Sequence, residues 1–149
     1  MTSGGALAAL GPILHVIIRP SPDAARSSDT PAGERVAMVI DTGSACSMVD
    51  NRTARALGHE PAYFTLIGGA TGDPELRPVY RMEMVVRLLD WAGRSHDVGF
   101  RQEIVGLEPR PQRGAAFGLI GRDYLANMHF LYDGRRGSFT LLFDQDPAT

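Results

Sequence analysis

The chain contains no lysine: all fifteen of its basic residues are arginine, set against seventeen acidic ones for a formal net charge of −2. The arginines are scattered, so the clustered positive charge of a nucleic-acid surface is missing, and no nucleic-acid partner is expected. Without lysine the glycine-rich stretch GGATGD also lacks the lysine–hydroxyl pair that a nucleotide-binding phosphate loop requires. Cysteine occurs once, at Cys46, which excludes an internal disulfide and suits a reducing, cytoplasmic compartment. A lone Cys46 with no flanking histidine reads as a small buried hydrophobe and not as a nucleophile. The four histidines, His15, His59, His96 and His129, are dispersed without ligand spacing, so neither a metal nor another cofactor is expected.

Long apolar runs are missing too. No stretch reaches the roughly 18 consecutive apolar residues of a membrane span, and no membrane partner is expected. The opening MTSGGALAALGPILHVIIRP is apolar but lacks a basic start and is interrupted by His15, which argues against a secretory leader. With 44% apolar and 21% charged residues, the composition favours a soluble globular fold over disorder. A length of 149 residues suits a single domain over 1–149 with a modest core.

What is present is a β-branched apolar run ending in a turn, VAMVIDTGSACSMVD, which places one carboxylate, Asp41, at the end of a strand. Two such carboxylates close enough to share a proton are split in pKa by like-charge repulsion. One then acts as base toward a water while the protonated other polarises a carbonyl. The chain holds one Asp-Thr-Gly turn, so a second copy of the chain has to supply the other carboxylate. In this reading the Thr42 hydroxyl fixes the turn and Gly43 removes a Cβ where two backbones approach. The Ser44 hydroxyl bonds the outer carboxylate oxygen. The plain alternative is a strand-end aspartate that caps local amides.

The rest of the chain reads as strands separated by punctuated turns. Ile13 to Ile18 forms a strand with Arg19 at its wet end, residues 1–11 are loose or contribute to a dimer edge, and 20–34 is an extended loop. A strand from Arg35 to Ile40 leads into the Asp41 turn. Ser47 to Asp50 is a short strand, and Asp50 caps a helix from Asn51 to Leu57 that stops at Gly58 and turns Ala54 and Leu57 inward. Tyr63 to Ile67 and Val79 to Leu89 flank the glycine cluster at 68, 69 and 72, a hairpin tip or an ordinary tight turn. Val85 to Leu89 pairs with Asp97 to Val105 around a turn that carries Trp91, and 108–114 is a surface loop. Ala115 to Ile120 is a buried strand against Val39 and Ile40. A short helix from Arg122 to Met128 follows, then a hairpin of 130–132 with 138–143 across Asp133-Gly134. Its last strand is strongly hydrophobic and needs cover.

The ordered segments VIDTGSACSMVD, NRTARALGH, LIGGATG and FGLIGRDYLANMHFLYDG, which together span most of 35–143, resemble the retropepsin-like aspartic proteases, the one-lobed relatives of pepsin. The resemblance implies a mostly β fold, a closed barrel of the acid-protease type with one or two short helices, acting as a homodimer on an extended peptide. It implies Asp41, Thr42 and Gly43 as the catalytic turn, with Ser44 and Ala45 on the floor of the substrate site. Ile67, Gly68, Gly69, Ala70, Thr71 and Gly72 correspond to the flap, a hairpin that closes over the peptide. Gly121, Arg122, Asp123 and Leu125 correspond to the helix opening behind the active site. The chain departs from the retroviral pattern where an acidic residue usually pairs with the helix arginine. Ala45 stands there, which directs Arg122 to Asp123, Asp50 or an acidic group across the dimer. The C-terminal strand, with residues 1–11, would form the dimer edge. A catalytically silent peptide-binding module and a scaffold domain for a hetero-complex are the alternatives.

Overall fold

Strand alternation organises the protein, whose computed structural model describes residues 11–20, 32–68, 72–108 and 117–144. In β1 (Ile13–Arg19), Val16 and Ile18 are buried while His15 and Ile17 face outward. In β2 (Glu34–Ile40), Val36, Met38 and Ile40 are buried. Side chains two residues apart share a face of a strand, so each run delivers one apolar stripe to a common interior. Full burial of a side chain such as Met38 contributes about 1.5–3 kcal/mol, more than strand propensity supplies at any one position.

The remaining elements are β3 (Met48–Asp50), α1 (Asn51–Ala56), β4 (Tyr63–Ile67), β5 (Glu75–Leu89), β6 (Ser95–Leu107), β7 (Phe117–Ile120), α2 (Arg122–Leu125), β8 (His129–Asp133) and β9 (Ser138–Leu142). Hydrogen bonding runs β1–β2–β7–β3–β6–β5, and β5 returns to β1 through Ile17 opposite Val85. Six strands thus close into a barrel, which removes the edges that an open sheet would expose. Its interior is one cluster that includes Ile18, Met38, Met84, Ile104 and Ile120. The protein is accordingly mostly β with two short helices, as its composition of short punctuated strands predicts. No helix among the described residues is long and apolar enough to cross a membrane.

β5 is the long member. Its even-numbered residues from Tyr80 to Leu88 are all buried, an unbroken period-two stripe. The expected pairing with β6 over Val85 to Leu89 is only part of the ladder, which extends from Val79 opposite Val105 to Leu89 opposite Ser95. The tip of that hairpin is tied by Asp90, whose buried carboxylate accepts from the Ala92 and Arg94 amides at 2.9 Å each and from the Arg94 guanidinium at 2.7 Å. These donors, the Arg94 amide foremost, hold the Asp90 carboxyl well below the usual carboxylate range. Gly93 beside it has φ +78, a conformation that needs glycine.

Several boundaries differ from expectation for local reasons. Asp50 caps α1 as expected, accepting from the Arg52 amide at 2.7 Å, and Ala54 and Leu57 are fully buried. Helix α2 ends at Leu125 and not at Met128, because the Asn127 side chain donates to the Asp123 and Tyr124 carbonyls and takes the bonds a further turn would use. The last hydrophobic strand, β9, is not a bare edge: it pairs with β8 throughout and meets β5 at Leu89–Leu142. Among the described residues it is β8 that ends the sheet, with Leu131 and Tyr132 exposed. Trp91 is 65% exposed and donates to Asp144, edge-on to His129. Expectations for 1–10, 21–31, 69–71, 109–116 and 145–149 lie outside the described residues.

Candidate functional site

Two parallel strands carry Asp41 to its position. β2 runs beside β7 with Val39 opposite Leu119 and Ile40 opposite Ile120. The ladder extends one residue further through the Asp41 amide, which donates to the Ile120 carbonyl at 2.9 Å. Beyond it the chain cannot continue straight, because the following strand, β3, pairs with the opposite side of β7. Residues 41–47 must therefore loop over the end of β7, and a tight turn with small residues is the means.

Inside that turn the Ser44 amide donates to the Asp41 carbonyl at 3.1 Å, and the Gly43 amide donates to Asp41 Oδ1 at 2.9 Å. The second bond fixes the carboxylate's rotation. A Cβ at Gly43 would lie 3.1 Å from Asp41 Oδ1, so the close approach that glycine permits here is to the carboxylate itself. Asp41 is half-buried, with Thr42, Gly43 and Ala45 exposed around it. The turn presents an acceptor-only carboxylate at the surface on a loop whose outer side is free.

Helix α2 holds this loop from beneath. Ser47 donates its amide to Asp123 Oδ2 at 2.9 Å and its hydroxyl to Asp123 Oδ1 at 2.7 Å, while the Gly121 amide donates to the Ser47 hydroxyl at 2.9 Å. The Arg122 amide donates to the Ser44 carbonyl at 3.0 Å. Among the described residues the Arg122 guanidinium donates, through one terminal nitrogen, to the Thr42 and Gly43 carbonyls at 2.9 and 3.1 Å. Its partner within the chain is thus neither Asp123 nor Asp50 but the backbone of the Asp41 turn. Asp123 is already committed to Ser47. Gly121 is required by contact: a Cβ there would stand 2.6 Å from the Cys46 carbonyl group. Leu125 packs against the core cluster, and the neighbouring Tyr124 is fully buried with no hydrogen-bond partner for its hydroxyl among the described residues.

Two further expectations are corrected. The Ser44 hydroxyl does not reach the carboxylate; it donates to the Cys46 carbonyl at 2.7 Å, which shapes the loop and not the acid. Cys46 is half-buried instead of fully enclosed. Burial, helped by the Asp123 charge, pushes its thiol up.

The hairpin expected to be a flap is β4 against the start of β5, from Tyr63 opposite Val79 to Ile67 opposite Glu75. Its two faces differ. Tyr63, Thr65 and Ile67 turn toward a cleft of about 470 Å³ whose other walls include Val79, Val105, Cys46 and Asp123. Phe64, Leu66 and Leu76 point away and are 59–65% exposed. Ile67, Gly68 and Gly72 are described at the hairpin's end; Gly69, Ala70 and Thr71 lie outside the described residues. The Tyr63 hydroxyl donates to Glu103 Oε2 at 2.6 Å, and that bond raises the phenol above its ordinary value. Asp41 is not among the residues lining this cleft.

Sequence reasoning brought Asp41, Gly43, Gly121, Arg122 and Asp123 to one place, and the structure places them there. It missed Ser47, Tyr63 and Glu103. Ser47 lies 76 residues from Asp123 and carries no local signal. Tyr63 and Glu103 meet across β5, and register alone would have found them: Tyr63 is opposite Val79, itself opposite Val105. Compared with protein-family models and with curated proteins, the chain matches none.

Proposed function

We propose that the protein is an aspartic endopeptidase of retropepsin-like fold, active as a homodimer in the cytoplasm. The observation that carries the reading is Asp41, oriented by the Gly43 amide on a loop bound to α2 at Ser44, Ser47 and the Thr42–Gly43 carbonyls. One carboxylate cannot be both base and acid in the same step. Two Asp41 side chains across a two-fold axis share a proton, so that one takes a proton from the attacking water while the other donates to the scissile carbonyl. Water adds to the carbonyl carbon, the tetrahedral intermediate expels the amine with a proton from the pair, and no covalent enzyme intermediate forms. Positioning and pre-oriented charge supply the rate.

The peptide lies extended beneath the flap, where β4 pairs on one side only and offers backbone donors and acceptors for strand addition. No cofactor enters the step. Peptide-library cleavage between about pH 4 and 7, the range that brackets carboxylate titration, tests the reading. Asp41→Asn should lower cleavage by about 10²–10⁴-fold or more while leaving the fold and the dimer mass unchanged. Equal cleavage by that variant, or a protein that is monomeric while cutting, refutes it.

A peptide-binding module without cleavage is the second reading. It is favoured by one observation, that the cleft is lined mainly by β4, β5 and β6, with Cys46 and Asp123 but without Asp41. A well-folded dimer that binds peptides and cuts none would select it.

A further inference from the structure

The cleft under β4 has apolar walls and an acidic end. Tyr63, Ile67, Val79 and Val105 line it together with the carboxylates of Glu103 and Asp123, and no arginine or histidine is among its lining residues. A volume of about 470 Å³ falls within the range of about 300–1,000 Å³ typical of small-ligand pockets. Asp123 spends both oxygens on Ser47 and Tyr124, so it is held in place and does not rearrange. Glu103 is the adaptable group. Tyr63 holds its Oε2, while Oε1 faces only the Arg81 guanidinium at a long 3.5 Å, an exposed pair that contributes little.

We propose that this cleft is a specificity pocket for a basic side chain, arginine or lysine, of the extended peptide, with the aliphatic stem against Val79 and Val105 and the cationic head at Glu103. The inference rests on the reading of the site as one that holds an extended peptide. A long basic side chain matches both parts of the lining, because it buries its methylenes on apolar surface while its head seeks a carboxylate. Successive residues of an extended chain alternate sides, so the pocket selects at one position and leaves its immediate neighbours to other contacts.

The test is peptide binding by fluorescence anisotropy on the full chain carrying Asp41→Asn, which separates recognition from cleavage. The probes are labelled eight-residue peptides, alanine-rich with a central pair of phenylalanines, in which each position in turn carries arginine, lysine, citrulline, norleucine or glutamate. Citrulline keeps arginine's shape without its charge. At one position the arginine and lysine peptides should bind about tenfold or more tighter than citrulline, the size expected for a hydrogen bond to a charged group. Glu103→Gln, which preserves an acceptor for Tyr63, should erase that advantage while leaving the melting temperature unchanged.

Equal binding of arginine and citrulline at every position, a preference untouched by Glu103→Gln, or no measurable binding of any probe overturns the pocket. Arginine-selective binding by a wild-type protein that cuts none of the same peptides supports the pocket and removes the peptidase reading, so the two failures are told apart.

Discussion

The Asp41 loop and the β4–β5 hairpin lie on two sides of the cleft, yet they are held in different ways. The loop is joined to α2 by bonds to Ser44, Ser47, Thr42 and Gly43, from partners 74 to 80 residues distant, and Ser47 and Gly121 lie in its buried base. Among the described residues, the hairpin strand β4 pairs with β5 alone and adds one side-chain bond, Tyr63 to Glu103, with its outer face exposed. Few buried contacts and exposed backbone bonds are what give a segment low local stability. The difference teaches that the Asp41 loop is pinned by long-range bonds while the β4 hairpin rests on its single neighbouring strand.

The sharpest way to break this contrast is to attack the joint from below. Gly121→Val places side-chain atoms where a Cβ would already lie 2.6 Å from the Cys46 backbone. Because backbone and not a pliable side chain must give way, the expected loss is about 3 kcal/mol or more by urea unfolding, and an unchanged midpoint would show the joint to be loose. Ser47→Ala is milder. It removes the hydroxyl that serves both Asp123 and the Gly121 amide, leaving a buried donor unpaired at a cost of about 1–3 kcal/mol, with cleavage reduced in step.

His59 sharpens the contrast through pH, since it sits on the segment that joins α1 to β4. Its Nε2 lies 3.0 Å from the Arg19 carbonyl, and burial pushes its pKa down. The folded state therefore prefers neutral imidazole, and its contribution is fully present above the unfolded value of about 6.5 and lost as pH falls below it. Unfolding midpoints should decline from pH 8 to 5.5, and His59→Gln should flatten that slope. A slope that persists in the variant assigns it to other groups. Smallest is the effect of Tyr63→Phe, which cuts the side-chain tether of β4 at an exposed position. It should leave the melting temperature unchanged while altering peptide affinity, so a fall in melting temperature would mean that this tether is structural after all.

Much of the barrel was legible in the sequence because each strand announces its own face. The β2 stripe, the Asp50 cap and the β4 limits are all local facts. The Asp41 turn was legible for the same reason: an apolar strand followed by Asp-Thr-Gly is a short-range pattern. What could not be read is whatever depends on distant partners. The bonds of Arg122 to the Thr42 and Gly43 carbonyls are invisible to spacing, since backbone acceptors carry no residue identity. Ser44 went astray similarly, as a hydroxyl beside both a carboxylate and a carbonyl gives no hint which it will serve. The extent of β6 was underestimated because its alternation mixes polar and apolar residues until it is set against β5.

The fifteen residues of β5 make a beam of roughly 50 Å at the rise of an extended strand. One end, Glu75 to Pro78, pairs with β4, and the other is clamped between β6 and β1, reaching β9 at Leu89. The hairpin is thus a cantilever whose stiffness is set at its root. Enlarging or shrinking Met84 or Val85, which are buried at that root, should change the angle at which the clamp releases the beam, and a small tilt there is magnified by leverage along the span.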